Sequence, residues 1–286
     1  MAKLNVQALA RRSEELVGCI IPDQGNVIIS IDLSAGEPTV TSEFSRDANY
    51  IDAIFNTQGK VPEYKNGILK ISDLYLTVMS VSPVGKDKMK QAFEDKWPAG
   101  SFQDQWMQDP EVIKKALKSE RNFHKMLCLG LGYGMGGKKM TKAAYEAGYE
   151  LSLKDARQFH KIYWLLFNGI RSFADRLAEK MEKEGAIVNP FGYRYVCDPS
   201  KAYNYFCQSS VSGIMHVFGA KLFAQAPYAK YVTTIHDEDL IEVPENMIEQ
   251  FRKDTQIATD SLNADLGWSI AIRTGFAIGR NWYEAK

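Results

Sequence analysis

The chain has 286 residues, enough for one large domain or two small ones with a buried core. Hydrophobic residues make up 45% of the sequence and charged residues 24%, and the formal net charge is zero, so global charge alone does not indicate nucleic-acid binding. The four cysteines lack the spacing of a structural zinc site, and no apolar run is long enough for a signal peptide or a membrane span. We therefore expect a cytoplasmic protein with reduced thiols.

The first part of the chain is predicted to form one strand and then mostly helices. The strand, 27–32, is short and β-branched and ends in an acid, Asp32. Pro38 suits the first turn of a helix extending to about Phe55, and 59–67 is predicted as a loop. Ser72 is the predicted N-cap of the next helix. Further helices are predicted from about Pro110 through Gly130, after Gly136, and from Ser152 to about Glu184, where Gly185 ends the last one.

The second part of the chain alternates hairpins with helices. A short hairpin is predicted around 189–192, a helix over 200–226, and a second hairpin over 231–243. A helix from Asn246 to about Leu262 and a final strand and turn within 268–282 complete the chain. This order indicates an α+β fold with a small, mostly antiparallel sheet.

The hairpin over 231–243 carries acids at its tip, where the sequence is His236, Asp237, Glu238 and Asp239. An acidic turn is also typical of an ordinary solvated hairpin, because the short Asp side chain bonds nearby backbone. The strand that ends at Asp32 offers a second interpretation. If the two strands pair in one sheet, Asp32 and Asp237 lie together and suit a pair of Mg²⁺ ions.

A second set of residues recurs at steps of four: Arg121, Lys125, Leu129 and Tyr133. On a helix these share one face over about 18 Å, with cations at one end and an aromatic ring at the other. Such a face suits a triphosphate and a flat base, but a helix with solvated cations and a core Leu and Tyr has the same pattern.

Asn204 and Gln208 are also four residues apart, on the helix predicted before the acidic hairpin. Their amides both donate and accept hydrogen bonds, which suits the acceptors of a DNA minor groove. An ordinary polar helix face would have the same spacing.

Together these sets resemble the polymerase domain of family A DNA polymerases, the DNA polymerase I group with many phage members. I-D-L-S-A-G-E-P at 31–38 resembles the first palm motif, R-N-F-H-K-M-L-C-L-G-L-G-Y-G at 121–134 the fingers motif R-x3-K-x7-Y-G, and I-H-D-E-D-L-I-E-V at 235–243 the second palm motif. Shorter matches lie at 4–7, 73–75, 204–208 and 279–286, so the resemblance covers nearly the whole chain.

The resemblance implies a small antiparallel palm sheet in 1–56 and 151–286, a mostly helical fingers subdomain in 57–150, and the absence of thumb and exonuclease domains. It implies template-directed addition of deoxynucleotides to a primer 3′ end by two-metal nucleotidyl transfer. The implied cofactor is Mg²⁺, two ions, with Mn²⁺ as a substitute. The implied partners are primer–template DNA and dNTPs, with no membrane. A partner chain that supplies a thumb or exonuclease is expected, unless the protein is a minimal form.

The resemblance also assigns roles to individual residues. Asp32 and Asp237 would hold the metal ions, with the carbonyl of Leu33 as a further ligand and Glu238 in an auxiliary role. Lys125 would also protonate the leaving pyrophosphate, and Glu37 would exclude a ribose 2′-hydroxyl. Nucleotide binding falls to Arg121, Lys125, Leu129, Tyr133, Glu37 and Ser34, and primer–template contact to Asn204, Gln208, His236 and Arg194.

Several positions depart from the family pattern. Leu129 stands where the family usually has Phe or Tyr, and Tyr75 replaces a frequent histidine. Gly36 and Pro38 replace the usual apolar pair around the glutamate. The stretch 84–117 is longer than the family normally inserts there, and we expect it to add packing on the fingers.

Two alternatives remain open from the sequence. A single-subunit phage-type RNA polymerase shares the palm acids and the fingers helix, but Glu37 argues against it. A catalytically silent nucleic-acid-binding subunit would not need the intact Asp32, Asp237, Arg121 and Lys125.

Overall fold

The computed structural model describes residues 14–58, 60, 62–89 and 111–285, and within them the fold is α+β, as predicted. The shorter match at 4–7 and residues 90–110 of the long insertion lie outside the described residues. The helices are α1 (Glu14–Val17), α2 (Gly36–Ser45), α3 (Ala48–Ile51, continued by a π-helical turn over Asp52–Asn56), α4 (Leu74–Met79), α5 (Glu111–Ala116), α6 (Lys118–Gly132), α7 (Gly137–Glu146), α8 (Leu153–Leu166), α9 (Asn168–Glu184), α10 (Ala202–Gln225) and α11 (Ile248–Leu266). The strands are β1 (Asn26–Asp32), β2 (Glu63–Lys65), β3 (Ile68–Lys70), β4 (Ile187–Val188), β5 (Arg194–Tyr195), β6 (Lys230–Ile235), β7 (Glu238–Pro244) and β8 (Ala277–Gly279).

A four-stranded antiparallel sheet has the strand order β6–β7–β1–β8. β1 and β7 pair along their whole length, so that Asp32 lies opposite Glu238 at one end and Asn26 opposite Pro244 at the other. The residues between Asn26 and Asp32 are all buried, which explains why β1 is an apolar run rather than an alternating one. The strand that ends at Asp32 and the acidic hairpin β6–β7 therefore lie in one sheet, which was the condition for Asp32 and Asp237 to lie together.

The chain forms two compact units. Of the described residues, unit 1 takes those within Met1–Glu43, Val188–Tyr193 and Phe206–Lys286, and unit 2 those within Phe44–Ile187 and Arg194–Tyr205. Unit 1 contains the four-stranded sheet, with a core cluster made of Val17, Ile28, Ile235, Leu240, Trp282 and Ala285. Unit 2 holds the range 57–150 together with 151–187, which the sequence grouped with the palm.

The core of unit 2 explains this grouping. Phe159, Tyr163 and Leu166 of α8 are buried and pack in one cluster with Phe123 and Leu127 of α6. α8 therefore packs against α6 and belongs to unit 2, because burying its apolar face there is favourable. Its position in the sequence, within the range predicted as palm, does not decide which unit it joins.

Three helix predictions were too long. The helix predicted from about Pro110 through Gly130 divides into α5 and α6 at Leu117, whose φ of −108° and ψ of 26° are not helical. The helix predicted to reach Phe55 ends at Ser45, because Arg46 adopts a left-handed φ of 53° and Asp47 then caps α3 by accepting from Tyr50 N. The helix from Ser152 divides into α8 and α9 at Phe167, whose φ of −117° and ψ of 60° are not helical. The predicted ends are correct: the Ser152 hydroxyl accepts from Asp155 N, and Gly185 has a φ of 67°.

Two further local predictions were wrong. The N-cap of α4 is Asp73 rather than Ser72, because the Asp73 carboxylate accepts from the N–H groups of Tyr75 and Leu76. The predicted loop 59–67 contains β2, which pairs with β3 across a tight turn at Asn66-Gly67. Both turn residues have positive φ, and an Asn-Gly pair is the usual signal for such a hairpin.

Within the described ranges, no helix combines the length and apolar character needed to cross a membrane.

Candidate active site

The two predicted metal-binding aspartates lie at one end of the four-stranded sheet. Asp32 is the last residue of β1, and Asp237 lies in the two-residue turn between β6 and β7. The Leu33 N–H donates to the Asp237 carbonyl at 2.9 Å, and the Gly275 N–H donates to the Asp32 carbonyl at 2.8 Å. These backbone hydrogen bonds hold Asp32, Leu33 and Asp237 together on rigid strand ends, as the sequence predicted.

The turn that carries Asp237 has an unusual backbone. His236, its first residue, is exposed and has a φ of 59°. A positive φ at the first position is typical of a tight hairpin turn, but glycine is the residue that normally occupies it. The structure thus keeps a side chain at the tip of the hairpin in spite of backbone strain.

The electrostatics of this sheet end favour a cation. Desolvation, and then the negative charges of Asp237 and Glu238, raise the pKa of Asp32. Burial and the charge of Asp237 also raise the pKa of Glu37, while a hydrogen bond from Gln208 lowers it. Several carboxylates therefore share one region, and a bound cation would relieve their repulsion.

The donor set suits Mg²⁺ better than a metal held entirely by protein. Among the described residues, no group of three or more His, Cys, Asp or Glu side chains is arranged to hold a metal ion. Mg²⁺ is usually bound by one or two carboxylates together with water and substrate phosphates, which matches Asp32 and Asp237. The Leu33 carbonyl accepts from Gly36 N at 3.3 Å and has a second lone pair for another partner.

Glu238 is buried beneath the acid pair and held by two donors that sequence reasoning missed. Its Oε1 accepts from the Ser30 hydroxyl at 2.9 Å and from Trp282 Nε1 at 3.1 Å. Trp282 is fully buried in the core of unit 1. The sequence indicated Trp282 only through the match at 279–286, and that match does not predict which residue the indole contacts.

The neighbouring Asp239 is also buried, on the outgoing strand. Its Oδ1 accepts from the Thr234 hydroxyl at 2.6 Å, which in turn bonds the Tyr231 hydroxyl. Asp239 therefore connects β6 to β7 through side chains as well as backbone.

Gly275 forms a wall against the Asp32 carboxylate, and sequence reasoning missed it as well. A Cβ atom at Gly275 would lie 1.9 Å from Asp32 Oδ1, so any side chain there would displace the carboxylate. The adjacent Thr274 forms an isolated antiparallel β-bridge with Leu33, and Arg273 O accepts from Ser34 N at 2.9 Å. This segment therefore fixes the start of the loop that carries Ser34.

The second predicted set lies on α6 in unit 2. The Nε and Nη2 atoms of Arg121 lie 2.8 Å and 2.7 Å from Asp73 Oδ2, while Asp73 Oδ1 caps α4. The guanidinium of Arg121 lies 5.1 Å from the Tyr75 ring centroid, and Lys125 Nζ lies 5.8 Å from it. The Tyr75 ring thus lies beneath both cations, and Asp73 pairs with Arg121.

The remaining residues of this face point to solvent. Lys125 is exposed, Leu129 is 40% exposed, and Tyr133, the C-cap of α6, is 48% exposed. This exposure contradicts the alternative in which Leu129 and Tyr133 are core residues. They are available to contact a ligand.

The predicted primer–template residues are spread over both units. Arg194 is exposed on β5, and Asn204 is half-buried near the start of α10. Gln208, one turn further along α10, is exposed and hydrogen-bonds Glu37. No DNA is present, so their contact with a primer–template remains a prediction.

Comparisons with known proteins agree with this geometry. A family model described as DNA polymerase family A matches residues 83–284. The chain is 28% identical over 179 residues to DNA polymerase theta of Caenorhabditis elegans, covering 58% of this chain and 11% of that one. It is 24% identical over 219 residues to a thermostable DNA polymerase I of Thermus filiformis, covering 71% and 25%. For the DNA polymerase of Mycobacterium phage L5, the identity is 25% over 236 residues, covering 81% and 30%.

A solved structure gives the same fold. The polymerase domain of Pol1 from M. smegmatis, in complex with DNA primer-template and dNTP, superposes with a TM-score of 0.70 at 19% identity, covering 98% of this chain and 45% of that one. The chain spans less than a third of the length of each of the three sequence relatives.

Proposed function

Because the chain belongs to DNA polymerase family A, we propose that it is a template-directed DNA polymerase that adds deoxynucleotides to a primer 3′ end. Its substrates in this proposal are dNTPs and a primer–template duplex. The sheet and the elements around it act as the palm, and the helices that carry Arg121 and Lys125 act as the fingers.

The observation that carries this proposal is the position of the two aspartates. Asp32 and Asp237 lie at neighbouring strand ends, with Leu33 N bonded to Asp237 O. A pair of carboxylates on rigid strand ends is the arrangement that nucleotidyl transfer requires for divalent cations. When bound, Mg²⁺ ions would lower the pKa of the primer 3′-hydroxyl and neutralise charge on the departing pyrophosphate.

The chain's own residues then have distinct tasks. Asp32 and Asp237 hold the cations, with the Leu33 carbonyl as a further ligand and Mn²⁺ as a substitute for Mg²⁺. Glu238, whose carboxylate is buried and bonded to Ser30 and Trp282, fixes the base of this site.

The face of α6 binds the incoming nucleotide in this proposal. Arg121 and Lys125 bind the triphosphate, and Lys125 donates a proton to the pyrophosphate as it leaves. Tyr133 stacks at the templating position, and the exposed Leu129 contacts the nucleotide. Ser34 lies in the loop after β1 and contributes to the same nucleotide.

Sugar selection separates this proposal from a phage-type RNA polymerase. We assign it to Glu37, which is half-buried and close enough to Asp237 to sense its charge. A bulky carboxylate at this place excludes a ribose 2′-hydroxyl, so deoxynucleotides are preferred. Glu37→Ala should relax that preference.

Primer extension with and without an intact acid pair tests the function. We expect the wild-type chain to extend a primer with dNTPs and Mg²⁺, and Asp237→Ala to lose at least about a thousandfold in rate, since it removes one of the two carboxylates that would hold the ions. Asp175→Ala, which removes an exposed carboxylate paired with Arg171, should leave extension unchanged. Extension at a normal rate by Asp237→Ala would refute the metal assignment, and no extension by the wild type would refute the function.

A further inference from the structure

Helices α2 and α10 pack closely beside the acid pair. A Cβ atom at Gly36 would lie 3.5 Å from Val211 Cγ1, and the Thr41 hydroxyl lies 3.6 Å from Cys207 Sγ. Val211 and Cys207 are both buried. Gly36 therefore lets the start of α2 approach α10 more closely than a larger residue would allow.

Glu37 bonds α10 between these two contacts. Glu37 and Thr41 are four residues apart on α2, and Gln208 lies between Cys207 and Val211 on α10, so the contacts follow one line where the helices meet. The Gln208 amide donates to the Glu37 carboxylate. We call this line the α2–α10 seam.

The hydrogen bond from Gln208 restrains the position of the Glu37 carboxylate. Glu37 is half-buried and lies near the charge of Asp237, so its ionised form needs a donor. A hydrogen bond to a charged group is stronger and more directional than one between neutral groups. Gln208 is exposed, which leaves its amide accessible to a second molecule.

We propose that Gln208 is a positioning residue that holds the Glu37 carboxylate in place for sugar discrimination and makes that discrimination depend on a correctly paired primer end. The inference rests on the proposed polymerase function. The same amide that orients Glu37 faces the surface predicted to contact the primer–template minor groove. A mismatched primer terminus draws the Gln208 amide away from Glu37 and so weakens the hydrogen bond between them.

The close packing of α2 and α10 explains why glycine stands at position 36, where the family usually has an apolar residue. A Cβ there would lie 3.2 Å from Leu33 Cβ and already in van der Waals contact with Val211 Cγ1 of α10 at 3.5 Å, so the outer atoms of a residue the size of isoleucine would crowd both side chains. The glycine allows the short distance across which the Gln208 amide reaches Glu37.

The test measures the ratio of kcat/KM for a dNTP to kcat/KM for the matching rNTP. Gln208→Met, which keeps the length of the side chain but not its donor, should lower this ratio about tenfold. In a Glu37→Ala background the same substitution should cause no further fall. Asn204→Leu, which removes the other predicted minor-groove amide one turn earlier, should weaken primer binding without changing the ratio.

Comparing matched with mismatched primer ends provides a second measurement, which a general loss of stability would not change. In the wild type, a mismatched terminal pair should lower the sugar ratio, and in Gln208→Met the ratio should be the same for matched and mismatched ends. Gln208→Glu, which places a second carboxylate against Glu37, should lower the ratio at least as far.

Distinct results would overturn the inference. An unchanged ratio in Gln208→Met and Gln208→Glu, with normal dNTP extension, would exclude the positioning role. An equal fall in the wild-type and Glu37→Ala backgrounds would show that Gln208 acts independently of Glu37. A wild-type chain that makes no DNA would instead refute the proposed function, whereas these outcomes leave it intact.

Discussion

The ion pair between Asp73 and Arg121 allows a stability prediction that separates two roles of one side chain. Asp73 is buried, its Oδ1 caps α4, and its Oδ2 accepts from two nitrogens of Arg121. Asp73→Asn retains the cap, because asparagine caps helices as well as aspartate does, but removes the charge. Asp73→Ala removes both.

The expected losses follow from these contacts. A lost N-cap costs about 1 kcal/mol. Hydrogen bonds to charged groups contribute about 1.5–3 kcal/mol, and the lower figure applies because the Arg121 side chain is 24% exposed and so partly screened by solvent. We therefore expect a loss in unfolding free energy of about 1.5 kcal/mol for Asp73→Asn and about 2.5 kcal/mol for Asp73→Ala.

Urea unfolding of the single and double variants with Arg121→Ala measures the coupling directly. The two substitutions Asp73→Asn and Arg121→Ala should be non-additive by about 1.5 kcal/mol. If their effects add to within about 0.5 kcal/mol, the pair does not stabilise the chain and the reasoning fails. Equal losses in Asp73→Asn and Asp73→Ala would refute the separate capping role.

Three further substitutions test features that lie deeper in the fold. Gly275→Ala should cut primer extension about 100-fold while the chain stays folded by circular dichroism, because it displaces the Asp32 carboxylate. Trp282→Phe should lower the free energy of unfolding, measured in urea, by about 1.5–3 kcal/mol, because Glu238 loses a buried donor. Burial lowers the pKa of His124 to about 4 from 6.5, so the unfolded chain binds its proton first and the stability from this group is lost as pH falls from about 6.5 to 4. His124→Gln should remove about 3 kcal/mol of that pH dependence, measured by urea unfolding at each pH.

Two of these variants can be compared with a second substitution. Gly136→Ala adds a methyl where nothing lies within 4 Å, and its extension rate should match the wild type. Ser30→Ala removes the second donor to Glu238, and together with Trp282→Phe it should cost more than the sum of the single changes. A slope with pH that is unaltered in His124→Gln would contradict the burial argument.

The approach of Asp32 to Asp237 was the part of the candidate site that the sequence could predict. Asp32 ends β1 and Asp237 lies in the turn that follows β6, so the two acids come together in a sheet that aligns these strand ends. The antiparallel register then followed from the burial of β1 and β7. The face of α6 was predictable for the same reason, since a step of four residues is set by helix geometry alone.

The contacts that support these residues were not predictable from local pattern. Arg121 meets Asp73 across 48 positions of the chain, and Trp282 meets Glu238 across 44. No local periodicity specifies which distant partner a buried polar group will find. The break at Phe167 was hidden for a similar reason, because the apolar spacing continues on both sides of it and only the packing of α8 and α9 in three dimensions requires the change of direction.

The left-handed backbone of His236 has a consequence for any attempt to make this protein more heat-resistant. At its φ of 59°, glycine would be favoured over histidine by about 1 kcal/mol, so His236→Gly is a substitution that a screen for thermostability would select. The same change deletes the only side chain that the turn presents beside Asp237 at its tip. The family resemblance assigns His236 to contact with the primer end, so on the proposed function a stability screen would select variants at this position that withstand heating better but extend primers more slowly, and a primer-extension screen run in parallel would reject them.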